Sequence, residues 1–245
     1  EKDVVISTWQ SIYKMPKKYF EQFGCVIGDE AHMFKAKSLT GIMTKLHQCK
    51  YRFGLTGTLD GTQTHKLVLE GLFGAAEKVV STKDLIDKKT LANLKIKCIT
   101  LKHPNIRQKM TYAEELDYIV SKESRNKFIL DLCNTLNGNT LCLFQLVEKH
   151  GKVLYDGMKG SENVYFVYGG TDTEQRERIR GLVEGHRKST TIASYGTFST
   201  GINIRNINNI VLASPSKSKI RVLQSIGRGL RTSSTKDSIL VFDIA

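Results

Sequence analysis

No apolar run in the 245 residues approaches the ~18 that a membrane-crossing helix requires, so no membrane span is expected. A secretory signal is absent from the start of the chain. The five cysteines (Cys25, Cys49, Cys98, Cys133 and Cys142) form no CxxC pair, and neither a histidine cluster nor an HExxH supplies zinc spacing. That argues against a fold stapled by metal or disulfides, and the thiols read as reduced and mostly buried in a cytoplasmic protein. Internal repeats and low-complexity tracts are also missing. What remains, 40% hydrophobic and 25% charged residues, suits an ordinary globular chain of one or two domains. The start at Glu1 and the apolar run at 239–242 close to the end lead us to expect a piece of a longer protein.

The formal net charge is +13, which favours a polyanionic partner, most commonly nucleic acid. Short apolar runs at 4–6, 25–27, 51–55, 96–101, 140–144, 164–167, 190–193, 209–212 and 238–242 read as strands. Between them lie helical stretches such as 112–137 and 174–184. This alternation predicts an α/β fold with parallel sheets. A Lys-rich stretch at 78–105 changes character, and we place a domain boundary at its start, giving domains 1–80 and 81–245.

The strongest local signal is Phe23-Gly24-Cys25-Val26-Ile27-Gly28-Asp29-Glu30-Ala31-His32, an apolar strand ending in adjacent carboxylates. Ligands of open α/β sheets sit beyond the carboxyl ends of strands. An Asp there can hold Mg²⁺, and a neighbouring Glu can polarise water for attack on a phosphoryl group. The competing reading is a strand that runs into a solvated acidic turn. A second signal is Gln224-Ser225-Ile226-Gly227-Arg228-Gly229-Leu230-Arg231. On a helix, Gln224, Arg228 and Arg231 share one face, with Leu223, Ile226 and Leu230 roughly 130° away. Gly227 and Gly229 weaken such a helix and point to close approach by another group. Two fixed guanidiniums suit a polyphosphate, although a basic surface helix would look the same.

Weaker signals follow. The run from Ser194 through Tyr195, Thr197, Ser199, Thr200, Gly201 and Asn203 to Ile204 is dense in hydroxyls and glycine, as a phosphate-contacting loop or an ordinary turn would be. Ser7-Thr8-Trp9-Gln10 could touch a nucleic-acid backbone, with Trp9 itself expected in the core. Arg176, Arg178 and Arg180, and likewise Lys217, Lys219 and Arg221, read as solvated surface.

In this order and spacing the segments resemble the motifs of superfamily 2 helicases of the DEAH type. Asp29 to His32 is similar to motif II, Thr56-Gly57-Thr58 to motif III, and Ser7-Thr8-Trp9-Gln10 to motif Ic. Leu143-Phe144-Gln145 resembles motif IV, Gly201-Ile202-Asn203-Ile204 the end of motif V, and Gln224, Gly227, Arg228 and Arg231 the QxxGRxxR of motif VI. The resemblance covers almost the whole chain. It implies two RecA-like parallel-sheet domains, the first truncated at its N-terminus, which clamp ATP and Mg²⁺ while DNA runs across both.

By motif position, Asp29 would place Mg²⁺ and Glu30 would activate water. Gln224, Arg228 and Arg231 would complete catalysis, with His32, Gly201 and Asn203 also at the nucleotide. His32, Thr56 and Thr58 would couple nucleotide to nucleic acid, and Thr8, Gln145 and Thr197 would contact the strand. The implied substrate is branched DNA (forks, Holliday junctions, R-loops); the oligomeric state is left open, a monomer being favoured over an assembly. Two departures stand out: Asn203 replaces the usual Asp, and Tyr195 the usual Thr. No GxxxxGK[ST] occurs; Gly151-Lys152 lacks the upstream glycine. The family places that loop before motif Ic, so we expect it upstream and expect this stretch alone not to hydrolyse ATP. The alternative is an inactive pseudo-helicase that binds nucleic acid without turnover.

Overall fold

Two short apolar runs, each ending in glycine, become parallel strands β1 (Cys25–Gly28) and β2 (Tyr51–Gly54), with Cys25 opposite Tyr51 and Gly28 opposite Gly54. The structure is a computed structural model that describes residues 3–57, 63–102, 109–201, 204–233 and 236–245. Both strands belong to the first of two units, Glu1–Val79 and Val80–Ala245. A parallel pair needs a crossover, supplied here by the helix Lys37–Lys45, which buries Leu39, Ile42 and Met43 at helical spacing. These join Phe20, Phe34, Leu46, Cys49 and Leu69 in one core. A side chain at Gly28 would run into Phe34, and one at Gly54 into Phe73; those two rings meet edge to face with centroids 5.1 Å apart. On the other face of the pair Ile27 is 64% exposed and Phe53 53%.

The second unit is a six-stranded sheet in which every pairing is parallel. Its strands are β3 (Asn93–Ile99), β4 (Asn139–Phe144), β5 (Val164–Val167), β6 (Ser189–Ser194), β7 (Ile207–Leu212) and β8 (Ser238–Ile244), in the order β3-β8-β7-β4-β6-β5. Alternation sorts the side chains into two cores. Leu141, Leu143, Ile210, Leu212, Ile239 and Val241 face one layer of helices; Cys142, Phe144, Val211, Phe242 and Ile244 face the other. Burial on both faces explains why these strands read as continuous apolar runs.

The structure departs from expectation at several points; outside the candidate site there are four, the first being that the run 195–201, read as a loop or turn, is the helix Tyr195–Gly201. Residues 4–6 form no strand, and Val4 and Ile6 are exposed, because no described strand lies alongside to pair with them. The stretch 112–137 is two helices, Tyr112–Ser121 and Glu123–Thr135, broken where Lys122 turns extended at ψ 109° and the buried Asn126 side chain donates back to Val120 O. Trp9 lies outside the core, edge-on to Tyr13, on a one-turn helix (Trp9–Ile12) that buries nothing. No described helix is long and apolar enough to cross a membrane.

Candidate functional site

In the first unit the chain leaves β1 at Gly28 and places Asp29 and Glu30 beyond its carboxyl end, both exposed. Glu30 sits in the left-handed region (φ 48°, ψ 49°), which costs a non-glycine residue about 1–2 kcal/mol. The neighbourhood holds it there. Its N–H donates to Asp29 Oδ1 at 2.8 Å, and on either side of the carboxylates Leu55 N donates to Gly28 O and Ala31 N to Leu55 O, each at 2.8 Å. These bonds stitch the acidic turn to the end of β2. His32 follows on the 3-10 turn Ala31–Lys35 and is buried, its Nδ1 3.2 Å from Glu30 Oε2 and 3.1 Å from Thr56 Oγ1. Glu30, His32 and Thr56 therefore meet at one point. Thr58 lies outside the described residues.

In the second unit Gln224 and Arg228 ride half-buried on the helix Lys219–Gly229. Ile226 and Leu230 pack against the core, whereas Leu223 is exposed. Arg231 is not on the helix, contrary to the i+7 expectation. The helix ends at Gly229, Leu230 caps it, and Arg231 forms an antiparallel bridge with Leu91. Gly229 is needed because a side chain there would strike Ile239 and Ile210, while Gly227 faces open space. Gly201 ends the helix Tyr195–Gly201, and Asn203 lies outside the described residues.

The expected nucleic-acid contacts are placed unevenly. Thr8 is exposed, its hydroxyl 3.0 Å from that of Ser11. Thr197 is buried, with its Oγ1 2.8 Å from Ser194 Oγ. Gln145 is half-buried just beyond β4, and its Oε1 has no hydrogen-bond partner among the described residues. Arg176 is not solvated surface as expected: it is half-buried and donates to Gly169 O at 3.1 Å, bracing the turn after β5.

Sequence reading missed a buried polar relay behind Gln145. Asn126 Nδ2 donates to Val120 O, so its Oδ1 faces His150 Nε2 at 3.1 Å and can only accept. Nε2 therefore carries the proton, and Nδ1 accepts from the Ser214 hydroxyl at 2.7 Å. Ser214 Oγ in turn accepts from Gln145 N–H at 3.1 Å. The Tyr195 hydroxyl donates to Ser214 O at 2.9 Å, which gives the departure from Thr at that position a structural role. Beside them buried Arg125 donates to Ala213 O and Ile244 O, at the carboxyl ends of β7 and β8, at 2.7 and 2.9 Å. A histidine at 150 amid Glu148, Lys149 and Lys152 looks like surface in sequence; only the fold turns it inward.

Desolvation, helped by the Arg125 charge, pushes the His150 pKa down to about 4 from 6.5. The unfolded chain then binds the extra proton first, so stability is fully present above pH 6.5 and is lost as pH falls toward 4, by about 3 kcal/mol. Denaturant titrations at pH 7.5 and 4.5 should show this loss in the wild type and a smaller one in His150→Gln. Equal losses in both would assign the acid sensitivity to other groups.

Comparison with known proteins places these features in context. Residues 112–233 match the helicase conserved C-terminal domain, and residues 1–61 the res subunit of type III restriction enzymes. The chain is 38% identical over 250 residues to the ATP-dependent DNA helicase uvsW of Enterobacteria phage T4, covering 98% of this chain and 49% of that protein. The crystal structure of T4 UvsW matches with a TM-score of 0.54 at 36% identity, over 96% of this chain and 47% of that one. Saccharomyces cerevisiae Dbp5, bound to RNA and ADP BeF3, shares the fold at a TM-score of 0.59 and 14% identity, over 100% of this chain and 61% of that one. The chain thus spans about half the length of the phage relative.

Proposed function

Because the chain belongs to the superfamily 2 helicases, we propose that it is the core of an ATP-driven DNA translocase acting on branched DNA. The observation that carries this reading is the constellation at the end of β1, where His32 contacts both the strained Glu30 and Thr56. Strained residues held by their surroundings cluster at active sites, which supports this reading.

In this reading Glu30 takes the proton of the attacking water, and His32 reports the state of the nucleotide to Thr56. Arg228 and Arg231 stabilise charge on the transferring phosphoryl group, and Gln224 orients the water. Asp29 fits Mg²⁺: it is an exposed carboxylate, and this cation settles for one or two carboxylates plus phosphate oxygens and water. Mg²⁺ would supply neutralisation of phosphate charge there. In this reading the motor also needs a P-loop, which these 245 residues do not contain. Domains 1–80 and 81–245 each carry half of the motif set.

The test is ATP hydrolysis by the full-length protein with no DNA, linear duplex or forked DNA. Turnover stimulated most by forks supports the proposal. Tight DNA binding with no turnover would replace it with a binding module. DNA affinity of the chain should also fall steeply with salt: neutralising about six phosphates predicts a loss of about 10³-fold between roughly 50 and 200 mM. A flat response in a binding titration would show that the +13 charge serves another purpose.

A further inference from the structure

We propose that Lys236 is a positioning residue, a buried clamp that ties the end of the arginine-bearing helix to the chain at Arg205 and so sets where Arg228 and Arg231 point. Lys236 is only 5% exposed. Its ammonium donates to Gly229 O, to Arg231 O at 3.1 Å and to Arg205 O at 3.5 Å. All three acceptors are main-chain carbonyls. Two belong to the segment that carries the arginines, and the third lies two residues beyond Asn203.

The need for such a clamp follows from how this helix ends. The last carbonyls of a helix lack intrahelical partners and carry the negative end of its dipole. A glycine in the left-handed conformation usually turns the chain back to satisfy them. Here the capping residue is Leu230, in the right-handed region (φ −74°, ψ −8°), and the chain runs on into the bridge with Leu91. Lys236 supplies from outside what that cap would have supplied. Ser233 and Lys236 exchange main-chain bonds, and β8 begins two residues after Lys236.

A buried ammonium is expensive where an apolar side chain would pack without desolvation. Desolvation by burial pushes the pKa of this one down from 10.5 to about 8. What the charge provides, and a methionine would not, is three donors that hold three carbonyls at fixed positions. The role assigned to the arginines rests on the motor reading above; the clamp itself does not.

The test uses Lys236→Met, which keeps the stem and removes the donors. In amide hydrogen exchange on the chain, residues 204–206 and 226–233 should lose protection together while β4 and β7 keep theirs. In the full-length protein kcat should fall by about 10²-fold, as misplacement of a catalytic group by about 1 Å does, with KM for ATP within about twofold. Lys236→Arg should recover part of that loss. Met158→Ala, which opens the core on the other face of the sheet, controls for destabilisation and should leave kcat per folded molecule unchanged. Unchanged exchange in Lys236→Met would overturn the clamp. Lost protection with unchanged kcat would overturn the positioning role. A wild type without turnover would remove the motor reading, with exchange still deciding the clamp.

Discussion

Glu30→Gln should leave ATP binding near that of the wild type and cut DNA-stimulated turnover by about 10²- to 10⁴-fold, the usual contribution of a positioned general base. The substitution is nearly isosteric. The bonds that hold residue 30 in its left-handed conformation are made by main-chain atoms and by Asp29, so they survive it. What changes is that the amide cannot take a proton. It can also donate to His32 Nδ1, which now lies 3.2 Å from a carboxylate oxygen and 3.1 Å from Thr56 Oγ1. Loss of turnover should therefore come with altered coupling: DNA should no longer change the affinity for nucleotide as it does in the wild type. Steady-state hydrolysis and nucleotide titrations, each with and without DNA, read both effects. Turnover within about twofold of wild type would take the base role away from Glu30.

How much of this site was legible in the sequence depends on where each residue finds its partners. The mixed α/β class followed from short apolar runs alternating with helical stretches, and β4 to β8 lie where those runs lie. Asp29 and Glu30 were visible because the strand that presents them and the carboxylates themselves are adjacent in sequence. The left-handed turn at Glu30 was not, since the bonds around it come from β2 and its flank. His150 and Lys236 were invisible for the same reason. Each is a polar residue in a charged neighbourhood, and each is buried only because Ser214, Asn126, Arg205 or Gly229 arrives from elsewhere in the chain. Arg231 shows the opposite error. Helical periodicity was extended two residues too far, past the point where Leu91 and Lys236 take over the backbone. Local pattern gives periodic elements and the carboxylates next to them; breaks, caps and buried polar groups are decided by distant contacts.

Arg228→Ala should lower kcat by about 10³-fold with little change in KM for ATP, because its guanidinium is proposed to act on charge that develops only in the transition state. That factor corresponds to about 4 kcal/mol of barrier. The fold gives reason to expect an effect of that size rather than the fraction of a kcal/mol typical of a surface arginine. Arg228 is half-buried on a helix whose next residue, Gly229, is wedged against Ile210 and Ile239 and whose last carbonyl is held by Lys236. Its backbone is therefore fixed at both the packing face and the terminus, and a guanidinium on a fixed backbone pays little to reach one geometry. Arg228→Lys separates charge from shape. Lysine restores a point charge without the planar fork, so it should recover part of the rate if electrostatics dominate and almost none if bidentate contact does. Arg231 provides the contrast: it is exposed and lies beyond the helix on a bridge to Leu91, so Arg231→Ala should cost less than Arg228→Ala. Equal rates for the Arg228→Ala variant and the wild type would strip the helix of its catalytic role and leave it a nucleic-acid or packing surface.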